Sequence, residues 1–194
     1  MTEADGVTDQ TPSEDLGHAH VARIAEAMEA LKAAGNNGAN WFFWIAGLSL
    51  VNTVIAHAGG DSHFIVGLAI TAIVDAIASG VGKQNPEAAS TLMIVAIGFS
   101  VFVAIMCVIF GWLSRKRLLW IFGIGMFLYL LDGLLYLLIG DYLSGAFHGY
   151  ALYSMFTGFN AYRQLNKVES ALENASDENA GIADDGRDVG FETT

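Results

Sequence analysis

Three ionisable side chains lie within apolar stretches of this sequence: Asp75, Asp132 and His148. A charged group at the centre of a bilayer costs about 2.5–3.5 kcal/mol on insertion scales, so such groups are expected to face the inside of a helical bundle or a wet cavity. Two carboxylates and a histidine, with no Lys or Arg inside the apolar stretches, favour a cation or a proton over an anion. The pattern therefore predicts a buried ligand or proton site.

Polar residues at helical spacing extend this candidate site. Tyr129 and Tyr136 flank Asp132 at three and four residues, and Ser144 precedes His148 by one turn. The full set of predicted site residues is Asp75, Asp132, His148, Tyr129, Tyr136, Asn52 and Ser144. In the alternative interpretation, the aspartates are hydrogen-bonded inside the bundle and only fix helix packing.

The segment "HAGGDSH" contains a second and weaker candidate, formed by His57, Asp61 and His63. Imidazole and carboxylate groups are ligands for divalent metals such as zinc, so a divalent metal is the one cofactor that these residue types suggest. Residues at a helix–loop boundary are also commonly solvated, and an ordinary loop remains the alternative.

Ser144 and His148 allow a third hypothesis, a membrane hydrolase in which the histidine activates the serine. No H-E-x-x-H, Walker loop or G-x-G-x-x-G occurs in the sequence, so an enzyme is not the favoured interpretation. The leading hypothesis is cation or proton binding in transport or sensing. The alternative is a non-catalytic membrane scaffold or accessory subunit.

The composition points to a membrane protein, because 54% of the 194 residues are hydrophobic. Five apolar segments are separated by short polar stretches, and we expect each to cross the bilayer as a helix. The sequence therefore predicts an all-α, polytopic helical membrane protein with about five transmembrane helices. The segments are 41–58, 63–81, 92–113, 118–140 and 143–159, within a bundle that spans 39–160.

The flanking regions are polar and acidic, with a net charge of −5 for each tail and −1 for the middle. Residues 16–38 carry apolar side chains at three- and four-residue steps, which predicts an amphipathic helix that ends at the sequence "GNNG", residues 35–38. The remaining predicted regions are a disordered acidic tail at 1–15, a helical extension at 161–174 and a disordered acidic tail at 175–194.

Five spans place the two termini on opposite sides of the membrane. The denser group of Lys and Arg residues belongs in the cytoplasm, which predicts an outer N-terminus and a cytoplasmic C-terminus in the cell (inner) membrane. A re-entrant hairpin over residues 41–81 would reduce the count. The expected partners are the lipid bilayer and a second copy or another membrane protein, and the acidic balance excludes nucleic acid.

Overall fold

A computed structural model describes residues 12–57 and 67–185, with side chains at 17–55 and 67–180. Within those residues the chain is entirely helical apart from short turns, which confirms the all-α class. Each of the five predicted apolar segments contributes to a different helix. The helices are α1 (Pro12–His57), α2 (Ala69–Gln84), α3 (Pro86–Arg115), α4 (Leu119–Leu138) and α5 (Tyr142–Asp185).

Three stretches of helix are long and apolar enough to cross a membrane: Gly17–Ile55 in α1, Pro86–Arg115 and Leu119–Leu138. Helix α2 has 16 residues, fewer than the roughly 20 that a full crossing requires. Length and composition therefore support a membrane protein, but they do not establish five crossings.

Two side-chain hydrogen bonds fix the direction of α2 relative to α1. Ser49 Oγ lies 3.1 Å from Thr71 Oγ1, and Thr53 Oγ1 donates to Asp75 Oδ2 at 3.2 Å. Both pairs advance by four residues in the same direction, so the two helices run parallel. Consecutive helices that each cross a membrane must run antiparallel. The prediction of five crossing helices does not fit this pairing. The alternative of a re-entrant hairpin over residues 41–81 stays a prediction, because residues 58–66 lie outside the described part of the chain.

The other helices alternate in direction, because the connections between them are short. Helices α3, α4 and α5 follow after Asn85, Lys116–Leu118 and Ile139–Asp141. The beginning of the apolar part of α1, the turn between α3 and α4, and the end of the apolar part of α5 therefore lie together. We call this the basic end, after Arg115, Lys116 and Arg117, and the opposite end the far end. Both polar extensions leave the bundle at the basic end, which does not fit the prediction of termini on opposite sides.

The sequence "GNNG" does not end a helix, and that prediction is wrong. Helix α1 continues through it because these glycines allow a close crossing with α5. A Cβ atom on Gly38 would lie 2.7 Å from the Cα atom of Gly158, and a Cβ on Gly35 would collide with the ring of Tyr162. The Tyr162 hydroxyl also donates to Asn36 Oδ1 at 2.8 Å. Small residues at helix crossings are typical of membrane proteins.

The tails differ from the prediction where they are described. The predicted amphipathic helix is the first part of α1, and its Met28 and Leu31 pack against the buried core that includes Leu165 of α5. Helix α5 continues through the predicted boundary at 174 to Asp185. The other predicted tail positions, 1–11 and 186–194, lie outside the described residues.

Candidate proton site

Asp132 and His148 meet inside the bundle, as the sequence predicts. The gap between His148 Nε2 and Asp132 Oδ2 is 3.0 Å, and the residues are 1% and 7% exposed. Helix α4 positions Asp132, and the antiparallel helix α5 places His148 opposite it. The approach depends on Gly133, because a Cβ there would lie 2.9 Å from His148 Cβ.

The start of α2 supplies two further partners to Asp132. The backbone N–H of Ala69 donates to Oδ2 at 2.8 Å, and that of Ile70 donates to Oδ1 at 3.0 Å. These are the first two residues of the helix, whose N–H groups have no acceptor within it. Leu68, at the N-cap position, has no side-chain oxygen to offer. Asp132 therefore caps α2 from another helix, and its negative charge also interacts favourably with the helix dipole.

The hydrogen bonds of His148 define the proton count of the pair. Nδ1 lies 2.8 Å from the backbone carbonyl oxygen of Ser144, which can only accept, so Nδ1 carries a hydrogen. The contact between Nε2 and Asp132 Oδ2 requires a second hydrogen, because two lone pairs would repel at this distance. Wherever that proton resides, the pair has no net charge. A neutral pair is the least costly form in an apolar environment.

The predicted tyrosines enclose the imidazole. The rings of Tyr129 and His148 stack at 4.4 Å between centroids and 19° between planes, and the ring of Tyr136 lies 5.1 Å away at 51°. Both tyrosines are buried. They fix the plane of the imidazole and exclude solvent from it, so the structure brings four of the predicted residues together: Asp132, His148, Tyr129 and Tyr136.

Asp75 lies further along α2 than the pair, on the side that faces α1. Asp75 accepts the bond from Thr53 between α2 and α1. It is five residues beyond Ile70, or about 7.5 Å further along α2 toward the far end. Asn52 lies beside Gly67, just before α2 begins. The expectation that Asp75 shares one site with Asp132 and His148 does not fit, because the reversed direction of α2 moves it to a separate polar layer.

Ser144 contributes its backbone rather than its hydroxyl to the site. Its Oγ donates to Asp141 Oδ2 at 2.6 Å, and its N–H donates to Asp141 Oδ1 at 3.1 Å. Both ring nitrogens of His148 are engaged by other groups, so neither activates this serine. This geometry does not fit the Ser144–His148 pairing on which the hydrolase hypothesis depends.

The weaker metal candidate is not described: the side chain of His57, and residues Asp61 and His63 entirely, lie outside the described part of the chain. In the part that is described, no group of three or more His, Cys, Asp or Glu residues is arranged to hold a metal ion.

Sequence reasoning missed the two backbone donors at the start of α2. The one sequence signal for them is the lack of a capping side chain at Leu68, which implies that the cap must come from another part of the chain. Comparison with known proteins adds no further assignment, since no family model, curated protein or solved structure matches this chain significantly.

Proposed function

We propose that this chain is a membrane protein in which α1, α3 and α4 cross the bilayer, α5 crosses beside α1 and α4, and α2 is a half-helix. In this arrangement Asp132 and His148 bind and release a proton in transport or sensing. One observation carries this proposal: a buried carboxyl group is hydrogen-bonded to the start of α2 and to a histidine at the same time. A change of protonation at this point would alter the attachment of a whole helix.

The aromatic residues support the placement in a membrane. All four tryptophans of the sequence lie near the basic end, and Trp44, Trp112 and Trp120 are largely exposed. Exposed tryptophans at one level mark the boundary between acyl chains and headgroups. From Trp120 to Ile139 at the far end of α4 is 19 residues, or about 28 Å, close to the thickness of a bilayer core. Asp132 lies 12 residues from Trp120, about 18 Å deep.

The basic residues favour a cytoplasmic basic end, and therefore two cytoplasmic termini in the cell membrane. Of the eight Lys and Arg residues that the structure describes, Lys83 alone lies near the far end. Seven belong to the basic end and its extensions, and Arg187 follows at the end of the chain. The difference in the number of basic residues between the two sides is larger than in the five-span arrangement. In that arrangement three of the basic residues lie outside.

A proton fits the pair better than a metal cation does. The hydrogen bonds already require one shared proton, and the neutral pair has no net negative charge to hold a cation. Adding a second proton would give the pair a charge of +1 directly opposite the positive end of the α2 dipole. That repulsion would weaken the attachment of α2, so acidification is expected to loosen this helix.

Several titratable groups among the described residues interact electrostatically with the pair. They are the phenols of Tyr129 and Tyr136 on α4 and the thiol of Cys107 on α3, with Asp141 at the turn before α5. Phenols and a buried thiol stay neutral over the physiological range. Among these groups, the Asp132–His148 pair is the one to which we assign the proton.

The second candidate function, a scaffold or accessory subunit, is favoured by a different aspect of the same site. The bonds of Asp132 and His148 join the start of α2 to α4 and α5, which is what a structural cap requires. A scaffold needs the pair for assembly but not for exchange of a proton. The expected second copy or partner membrane protein remains a prediction in both cases.

Nitrogen NMR can distinguish the proton function from the scaffold function. The protein is labelled with ¹⁵N-histidine and measured in lipid nanodiscs. The His148 signals are assigned with His148→Gln. We expect the protonation of His148 to change reversibly with pH while the bundle stays folded. In Asp132→Asn the asparagine amide can donate to Nε2, so that nitrogen loses its proton and the response disappears.

Asp75→Asn is the matched control, since it makes the same change at an equally buried aspartate outside the pair, and it should leave the response of His148 unaltered. A His148 signal that stays constant until the protein unfolds would remove the proton function and leave the scaffold. Equal effects of the two substitutions would show that the response does not belong to this pair.

A further inference from the structure

A cavity of about 150 Å³ lies between α3, α4 and the start of α2, beside Asp132. Its walls are apolar except for that carboxylate. The residues that define its chemistry are Phe42, Phe110, Tyr129, Met106, Cys107 and Asp132.

The size and the walls indicate the occupant. An apolar cavity of about 150 Å³ is large enough to bind one benzene ring in a protein interior. Aromatic rings pack favourably against other rings, and the sulfur atoms of Met106 and Cys107 add favourable contacts at ring edges. A single aromatic ring therefore fits better than a branched aliphatic group of the same volume.

The carboxylate of Asp132 can accept a hydrogen bond from one donor group on that ring. Asp132 Oδ1 accepts one described hydrogen bond, from Ile70, and a carboxylate oxygen can accept a second. Because Asp132 and His148 together are neutral, the cavity offers a hydrogen-bond acceptor without a net charge. It therefore suits a neutral donor such as a hydroxyl group better than an ammonium ion.

The entrance to the cavity faces the lipid. Ile70, Met106 and Leu128 line it and are each at least one-third exposed on the outer surface of the bundle. A molecule dissolved in the bilayer can reach Asp132 between α3 and α4 without crossing a polar layer.

We propose that this cavity binds a small neutral aromatic molecule with one hydroxyl group, which enters from the bilayer and donates a hydrogen bond to Asp132. The site shares Asp132 with the proposed proton function, but it does not require exchange of the proton. Failure of ligand binding would leave the pH response of His148 intact, and the two proposals are therefore tested separately.

Cys107, the single cysteine of the sequence, provides the assay. The protein in nanodiscs is treated with methyl methanethiosulfonate, and modification of Cys107 is followed by mass spectrometry at increasing benzyl alcohol. Bound benzyl alcohol should slow the modification several-fold and with saturation. Ethylbenzene, which has the same shape without the hydroxyl group, should protect more weakly at equal concentration in the bilayer.

Two phenylalanine substitutions on α3 test the location. Val103→Phe fills the cavity and should abolish the protection, whereas Ile105→Phe adds the same volume on the exposed side of the helix and should leave it unchanged. Circular dichroism checks folding, and Leu128→Trp, which narrows the entrance, replaces Val103→Phe if that variant does not fold. No protection, or protection that increases without saturation and persists in the cavity variant, would overturn the proposal.

Discussion

Asp132 shows how one side chain can satisfy two requirements of a membrane interior. The N–H groups at the start of α2 need an acceptor, since an unpaired backbone group in the bilayer costs several kcal/mol. The carboxylate needs donors and a compensating proton, which Ala69, Ile70 and His148 supply. Replacing Asp132 with Asn would lose at least one of these bonds, at a cost of about 1–3 kcal/mol.

The sequence alone identified this centre only in part. Aspartate within an apolar run is costly wherever the chain folds, so Asp132 and His148 could be predicted from type and position, and Tyr129 and Tyr136 from helical spacing. The donors at Ala69 and Ile70 could not be identified from their own residue types, because every residue except proline carries a backbone N–H. Their one sequence signal is the lack of a capping side chain at Leu68.

A second carboxylate, Asp141, is expected to stabilise the start of α5. It is the residue before the helix, and its bonds from the Ser144 hydroxyl and backbone N–H hold the pKa of its carboxyl below the usual value. We expect Asp141→Ala to destabilise the first turn by about 0.5–2 kcal/mol at neutral pH, and Asp141→Asn by much less, because asparagine caps nearly as well.

The lowered pKa gives the sign of the pH dependence. The charged cap contributes above the unfolded-state pKa of about 3.9, and its contribution is lost as the pH falls through the lower folded-state value. Thermal unfolding in detergent at pH 7 and pH 3 tests this: the difference between the wild type and Asp141→Ala should shrink at pH 3. An equal difference at both values would exclude a charge-dependent cap.

At the scale of the helices, the crossing of α1 and α5 depends on glycine. In Gly38→Ala the new methyl group meets the backbone of Gly158, which cannot move aside as a flexible side chain would. We expect a loss of about 1–3 kcal/mol in unfolding free energy. Gly47→Ala in the same helix is the control: nothing lies within 4 Å of a Cβ there, and alanine should stabilise the helix by about 0.5–1 kcal/mol.

Reversible unfolding of both variants in mixed micelles measures these differences, and a neutral Gly38→Ala would mean that α1 and α5 do not cross at this point. The same glycines explain the wrong prediction for "GNNG". Glycine and asparagine in a row commonly end a helix, and local sequence cannot distinguish that from a close helix contact whose second member, Gly158, is 120 residues away.

For the whole molecule, the number of apolar segments could be predicted but their directions could not. Hydropathy reports that residues 69–84 are apolar enough to be buried. The direction of α2 depends instead on which residues of α1 it pairs with, and Ser49–Thr71 and Thr53–Asp75 are contacts across 22 residues. In the proposed arrangement the half-helix places both termini on one side of the membrane, and no pattern in the sequence indicates this.

The position of the termini tests the central claim, which is that α2 begins inside the membrane, where Asp132 caps its first turn. Two reporters are each fused to the N-terminus and to the C-terminus of the full chain in a bacterial inner membrane. Green fluorescent protein fluoresces in the cytoplasm, and alkaline phosphatase is active outside it. Four crossings and a half-helix predict fluorescence and no phosphatase activity at both termini. Fluorescence at one terminus with phosphatase activity at the other would make α2 a full crossing, which contradicts its attachment to Asp132 within the bilayer.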